Sequence, residues 1–262
     1  MLLPGNLLRE ARRQRGLADG CVPPLCLLDP DGDVAWHALA ALGGRVSPVW
    51  ACYHTTMVET EAAGIPLGIV GCAVGAPFAV LVAEQLFASG CRVLVSVTSA
   101  GRIGDGAGAP PVVLIARSLR GEGTSIAYLP PSDGIDADPA TVAAVAAELD
   151  ARGLPARPGT AWTTDAPYRE TATALARAAA AGAEVVEMES AALTAFSRSR
   201  GVPVVCFAHV TNAMAVDDGP DFEKGPASGA EQALALAAAA GAALGLRQGP
   251  DGRPPGPERR MS

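Results

Sequence analysis

Six short runs in this chain are apolar at nearly every position: VPPLCLL (22–28), PLGIVGC (66–72), RVLVSVTSA (92–100), VVLIA (112–116), EVVEM (184–188) and VPVVCFAHVTN (202–212). A strand with one face in water alternates apolar and polar side chains. A strand that stays apolar through consecutive positions is covered on both faces. Between these runs lie alanine-rich stretches with a helical pattern, at 77–89, 137–151, 169–181, 189–200 and 227–246. Buried strands alternating with helices need a helical layer on each side. The expected fold is therefore α/β, with three layers around a mostly parallel or mixed central sheet. At 262 residues and 49% hydrophobic, the chain has enough apolar surface for one large domain.

The ends read differently. Residues 1–20 look like a loose, basic leader, and 247–262 (RQGPDGRPPGPERRMS) look like a disordered tail, leaving 21–246 as the domain. The net charge of −7 and the lack of a basic stripe argue against a nucleic-acid partner. No stretch reads as a membrane span. The six cysteines are scattered, without a C-x-x-C pair, which points to reduced thiols, a cytoplasmic setting and no metal site.

Ligands in such folds sit at the carboxyl ends of strands. Four ends draw notice. GCAVGAP (71–77) is a glycine turn entering a helix, where the Gly75 region lets backbone amides approach a ligand. SVTSAGRIG (96–104) offers the hydroxyls and amides of Thr98 and Ser99. GAEVVEMESAAL (182–193) puts Glu187 and Glu189 where a buried strand meets a buried helix. Unpaired carboxylates are expensive to bury, so either the junction is exposed or a glutamate has a hydrogen-bonding task there. HVTN (209–212) ends a strand on Asn212, whose amide both donates and accepts. His209 reads more as a packing histidine than as a catalyst, and Asn212 equally as a loop cap. TTDAPYRET (163–171) mixes Asp165, Tyr168 and Arg169 ahead of a helix, and Asp165 also reads as a helix cap.

In this order the pieces resemble the nucleoside phosphorylase and nucleosidase superfamily, which includes purine nucleoside and uridine phosphorylases. The resemblance spans about residues 21–246. It rests on GIVGCAVGAPFAVLVAEQLFASGCRVLVSVTSAGRIG with its Glu84-Gln85-Leu86 helix, on RGEGTSIAYLPP (120–131) as the following strand, on TTDAPYRET, on VTN, and most specifically on VVEMESAAL. It implies the αβα phosphorylase/hydrolase-like fold with a central mixed sheet, no cofactor, and a homo-oligomer acting on a small nucleoside. Glu189 is implied to accept from the ribose hydroxyls, with Met188 under the sugar and Glu187 in support. Asn212 is implied at the base, with Tyr168 and Phe78 as pocket walls. Such a site suits cleavage through an oxocarbenium-like sugar, whose positive charge a fixed carboxylate favours.

The chain departs from the family pattern where phosphate is held. Leu28 and Gly32 in LDPDG, Cys52 in WACYHTT and Ser96 in VSVTSAG stand where relatives carry a glycine and arginines, and Ala127 stands at a position often occupied by histidine. Arginine is the side chain best suited to a phosphate. His54, Gly75 and Ser99 are the remaining candidates for an anion. The expectation is therefore N-glycosidic cleavage by water, with Asp29, Asp165 and Asp217 as candidates to activate it. Phosphorolysis, or a nucleoside-binding relative without turnover, are the alternatives.

Overall fold

The computed structural model describes residues 3–104, 111–213, 224 and 226–246. Along the chain come α1 (Pro4–Arg15), β1 (Leu25–Asp29), α2 (Asp33–Ala41), β2 (Arg45–Val46), β3 (Val58–Ala62), β4 (Ile65–Gly71), α3 (Ala76–Ala88) and β5 (Val93–Arg102). They are followed by β6 (Val112–Gly121), β7 (Gly134–Asp136), α4 (Pro139–Ala151), β8 (Ala156–Thr164), α5 (Ala172–Ala180), β9 (Val185–Glu187), α6 (Ser190–Arg200), β10 (Val204–Ala213) and α7 (Ala230–Ala243).

The sheet runs β10-β6-β8-β9-β5-β1-β4-β3-β2, with β7 on β6. It is mixed: β1 is parallel to β4 and β5, whereas β9 is antiparallel to β5. β10 pairs with β5 on one side and β6 on the other, so β5, β9, β8, β6 and β10 close into a ring. Helices cover both faces. α3 and α6 pack together over Leu28, Val70, Leu94 and Ala208. α2, α4 and α7 cover Leu27, Ile69, Val95 and Phe207. Neighbouring residues of β1 thus bury opposite ways, which is why its sequence shows no alternation. A fully buried leucine contributes about 1.5–3 kcal/mol relative to exposure, so the doubly covered strands carry much of the stability. The three-layer αβα expectation holds.

Three expectations change. The loose leader contains a docked helix: Leu8 and Ala11, three residues apart, pack on Ala51, and Arg15 Nη1 donates to the Cys52 carbonyl at 2.9 Å. The segment 120–131 is not a strand. β6 ends at Gly121, a 3-10 turn spans Ser125–Ala127, and the Arg120 guanidinium gathers the loop by donating to Ser125 Oγ and to the Leu129 and Pro130 carbonyls. β3 and β8 lie outside the six apolar runs. VETEA is an outer strand with polar alternation, and ARPGTAWTT carries Pro158 and Gly159 yet pairs with β6 through an irregular register at Ile115/Arg117. The tail at 247–262 lies outside the described residues. Among the described residues no helix is long and apolar enough to cross a membrane.

Candidate functional site

Strand register brings the candidate ends together. Asp29 lies beside Gly71, Ser99 beside His209, and Glu187 beside Thr163. Because β9 runs against β5, the chain leaving Glu187 passes back toward Thr98. Glu189 Oε2 accepts from Thr98 Oγ1 at 2.9 Å, and Oε1 accepts from the Gly75 amide at 2.7 Å.

The two glutamates divide their tasks. Glu187 is buried, and its Oε2 accepts the amides of Glu189 and Ser190 at 2.8 Å each. Its Oε1 accepts from Thr163 Oγ1 at 2.5 Å and Ser190 Oγ at 2.7 Å. A carboxylate offers about four lone-pair positions, so Glu187 is filled by the protein itself. It caps the start of α6 from outside the helix, which leaves the Glu189 side chain free to turn toward the glycine turn. Glu189 is only 1% exposed, and its two protein donors use about half of its acceptor capacity. Burial first, then the neighbouring Glu187 charge, push its carboxyl up to about 8; the Gly75 and Thr98 hydrogen bonds oppose the rise. Burial also raises Glu187, against the hydrogen bonds from Thr163 and Ser190. A carboxylate held this way gains from any hydroxyl that replaces its lost water.

The turn that meets Glu189 is built for close approach. Gly75 precedes α3 at φ 87°, a backbone region that side chains with a Cβ rarely adopt, and Pro77 sits in the first helical turn. Cys72 holds φ 62° without being glycine.

Beside Glu189, a small cavity is lined by Asp29, Asp31, Asp33, Thr98, Ser99, His209 and Lys224, among others. Asp31 Oδ2 accepts from Ser99 Oγ at 2.6 Å and from the Ser99 amide at 3.3 Å. Lys224 Nζ lies 2.9 Å from Asp31 Oδ2 and 2.5 Å from Asp33 Oδ2. Asp29 is buried, and its Oδ2 accepts the Val34 and Ala35 amides at 2.9 and 3.0 Å, so it caps α2. Burial raises it to about 6. Burial, and then the Lys224 charge, push His209 down, toward the neutral imidazole.

The other candidates are dispersed. Met188 is half-buried next to Glu189. Phe78 packs on the α3–α6 core, with its ring 6.4 Å from His54 in an edge-on contact. Exposed His54 lines a separate surface cleft of 440 Å³ with Arg15, Tyr53 and Cys72, away from the cavity that Ser99 lines. Tyr168 is 99% exposed, so it is no pocket wall in this conformation. Arg169 is exposed in the same 3-10 turn. Asp165 does not cap α5, whose cap is Thr171; its Oδ2 accepts the Gly123 amide at 2.9 Å and ties two loops. The Asn212 backbone lies beside Gly101 on β5. Asp217 falls outside the described residues. Cys52 and Ser96 are both buried, so neither substitutes for an exposed phosphate ligand. The sequence assigns no task to Asp31, and names Lys224 only as one of the charged residues in the polar segment 210–225. Acidic and basic side chains in loops carry no periodic signal, and Ser99 lies 68 residues from Asp31.

The arrangement therefore offers a desolvated carboxyl group on a glycine turn, next to the Thr98 and Ser99 hydroxyls inside β5 and a polar, acid-lined cavity. Known proteins share the fold. An AMP nucleosidase from Bacteroides thetaiotaomicron superposes with a TM-score of 0.70 at 18% identity, over 92% of this chain and 96% of that one. A purine nucleoside phosphorylase from Toxoplasma gondii, in complex with immucillin-H, gives 0.70 at 16%, over 85% and 91%. At such identities the likeness is one of fold. No curated protein sequence matches the chain. The sequence profile of the phosphorylase superfamily matches residues 37–245, a span that holds the glycine turn, Thr98, Ser99 and the Glu187–Glu189 pair, and the chain belongs to that superfamily.

Proposed function

We propose that the protein cleaves the N-glycosidic bond of a nucleoside or nucleoside-like metabolite, with water as the nucleophile. The observation that carries the reading is Glu189, a buried carboxylate with acceptor capacity to spare, fixed by Gly75 and Thr98 at the carboxyl end of the sheet. In this reading its open lone pairs take the ribose 2′- and 3′-hydroxyls, with Met188 beside the sugar and Asn212 toward the base. Positive charge that develops on the sugar as the C–N bond stretches is stabilised by a carboxylate that needs no reorganisation. Water oxygen bonds to the anomeric carbon, the C–N bond breaks, its electron pair leaves with the base, and the proton of the attacking water is released to a neighbouring acceptor.

Water is favoured over phosphate by the lining of the Ser99 cavity. Among the described residues it contains three aspartates, one lysine and no arginine. A phosphate dianion would enter against like charge, without the bidentate donors that suit it. A homo-oligomer fits the exposed apolar side chains of Trp36, Leu39, Leu42 and Val46. A cytosolic setting fits the free cysteines. The test is incubation with a nucleoside panel, with and without phosphate, followed by identification of the sugar product. Free sugar at a rate independent of phosphate supports the reading. Sugar 1-phosphate formed only on phosphate addition overturns the choice of water, and no cleavage of any nucleoside favours a binding protein.

A further inference from the structure

Asp31 sits on donors that would otherwise hold an external anion. One of its oxygens, Oδ2, receives a hydroxyl at 2.6 Å and an amide at 3.3 Å from Ser99, and lies 2.9 Å from the Lys224 ammonium. A hydroxyl, an amide and a cation converging on one oxygen is how a small oxyanion is bound. Lys224 is held in place from its other side by Asp33 at 2.5 Å, and its side chain is only 14% exposed. The lysine therefore stays at the cavity whether or not Asp31 is there. Asp31 itself is exposed and belongs to a loop, and no described contact makes it part of the hydrophobic core.

We propose that Asp31 is a specificity-determining residue: its carboxylate plugs a latent oxyanion site formed by Ser99 and Lys224, and so keeps inorganic phosphate from the reaction. The plug is tethered two residues past the end of β1 and two residues before the start of α2. A tethered group competes at a high effective concentration, so free phosphate has to displace an intramolecular anion as well as face its charge. This deepens the hydrolytic reading above and rests on it for the consequence to chemistry, although the binding site itself is independent of turnover. In a variant without the plug, phosphate oxygen bonds to the anomeric carbon in place of water oxygen, the C–N bond breaks as before, and the sugar leaves as its 1-phosphate.

The experiment is Asp31→Ala in the full chain, with Asp31→Ser as a second variant of the same kind. Phosphate is titrated by calorimetry and by thermal shift, without nucleoside. The expected result is phosphate binding at least about tenfold tighter than in the wild type, and its loss again in Asp31→Ala/Lys224→Met. In a nucleoside reaction, the share of sugar 1-phosphate should rise with phosphate in the single variants only. Phosphate binding that is unchanged from the wild type in both single variants overturns the proposal. So does binding that survives removal of Lys224. If no protein cleaves any nucleoside, the hydrolytic reading fails while the titration still decides whether Asp31 is a plug.

Discussion

Replacing Glu189 by glutamine separates the chemical task of this side chain from its structural one. The variant can keep both protein contacts. Its amide oxygen accepts from the Gly75 N–H, and its NH2 donates to Thr98, whose hydroxyl rotates to accept. The fold should therefore survive. What is lost is the negative charge that faces the sugar once the carboxyl ionises, at a pH above about 8. A hydrogen bond to a charged group contributes about 1.5–3 kcal/mol, so losing one felt fully in the transition state lowers kcat/KM about 10- to 150-fold. Stability should move the other way. The Glu189 carboxyl is raised from 4.5 to about 8 in the fold, so the native protein binds more protons than the unfolded chain across that window. The wild type then loses stability as pH rises through it, and the variant does not. The assays are steady-state kinetics on a nucleoside that the wild type cleaves, and urea denaturation from pH 4 to 9. Wild-type activity should rise with pH through about 8 as the carboxyl ionises, the variant should lack that rise, and the variant should gain stability relative to the wild type over the same range. A folded variant with kcat/KM within about twofold of the wild type would refute the ribose assignment.

Glu187→Ala strips the acceptor from the Glu189 and Ser190 amides and from two hydroxyls, and should cost about 2–5 kcal/mol in urea unfolding while also lowering turnover through a displaced Glu189. Tyr168→Ala should change the unfolding free energy by less than about 0.5 kcal/mol, because the ring is 99% exposed; a rise in KM in that variant would then report a contact made only with substrate bound. Asp29→Asn should flatten the fall in stability between pH 3.8 and about 6, the window over which the raised Asp29 carboxyl favours the native state at low pH, and a pH profile of Tm checks it.

Much of this protein is legible in its sequence. The runs that became β1, β4, β5 and β10 are apolar on consecutive residues because helices cover both faces of the sheet, a local consequence of burial that a sequence displays directly. VVEMESAAL announced a strand-to-helix junction with two carboxylates, and that junction is the centre of the candidate site. The N-terminal helix reads as a loose leader because five of its twelve residues are charged and only Leu8 and Ala11 are buried, so charge outweighs its narrow apolar face. β8 escaped because Pro158 and Gly159 oppose a strand locally and only pairing with β6 overrides them. The division of labour between Glu187 and Glu189 was decided by tertiary structure alone. Both are acidic and two residues apart in sequence, yet one meets Thr163 and the start of α6, and the other meets Gly75, 114 residues away. Asp31 and Lys224 belong to the same class. Their partners lie 68 and 191 residues away, on β5 and at the start of α2, and a hydrogen bond between segments so distant leaves no periodicity in the chain that makes it. Hydrophobic burial is written residue by residue; the company a polar side chain keeps is set only when the strands are brought side by side.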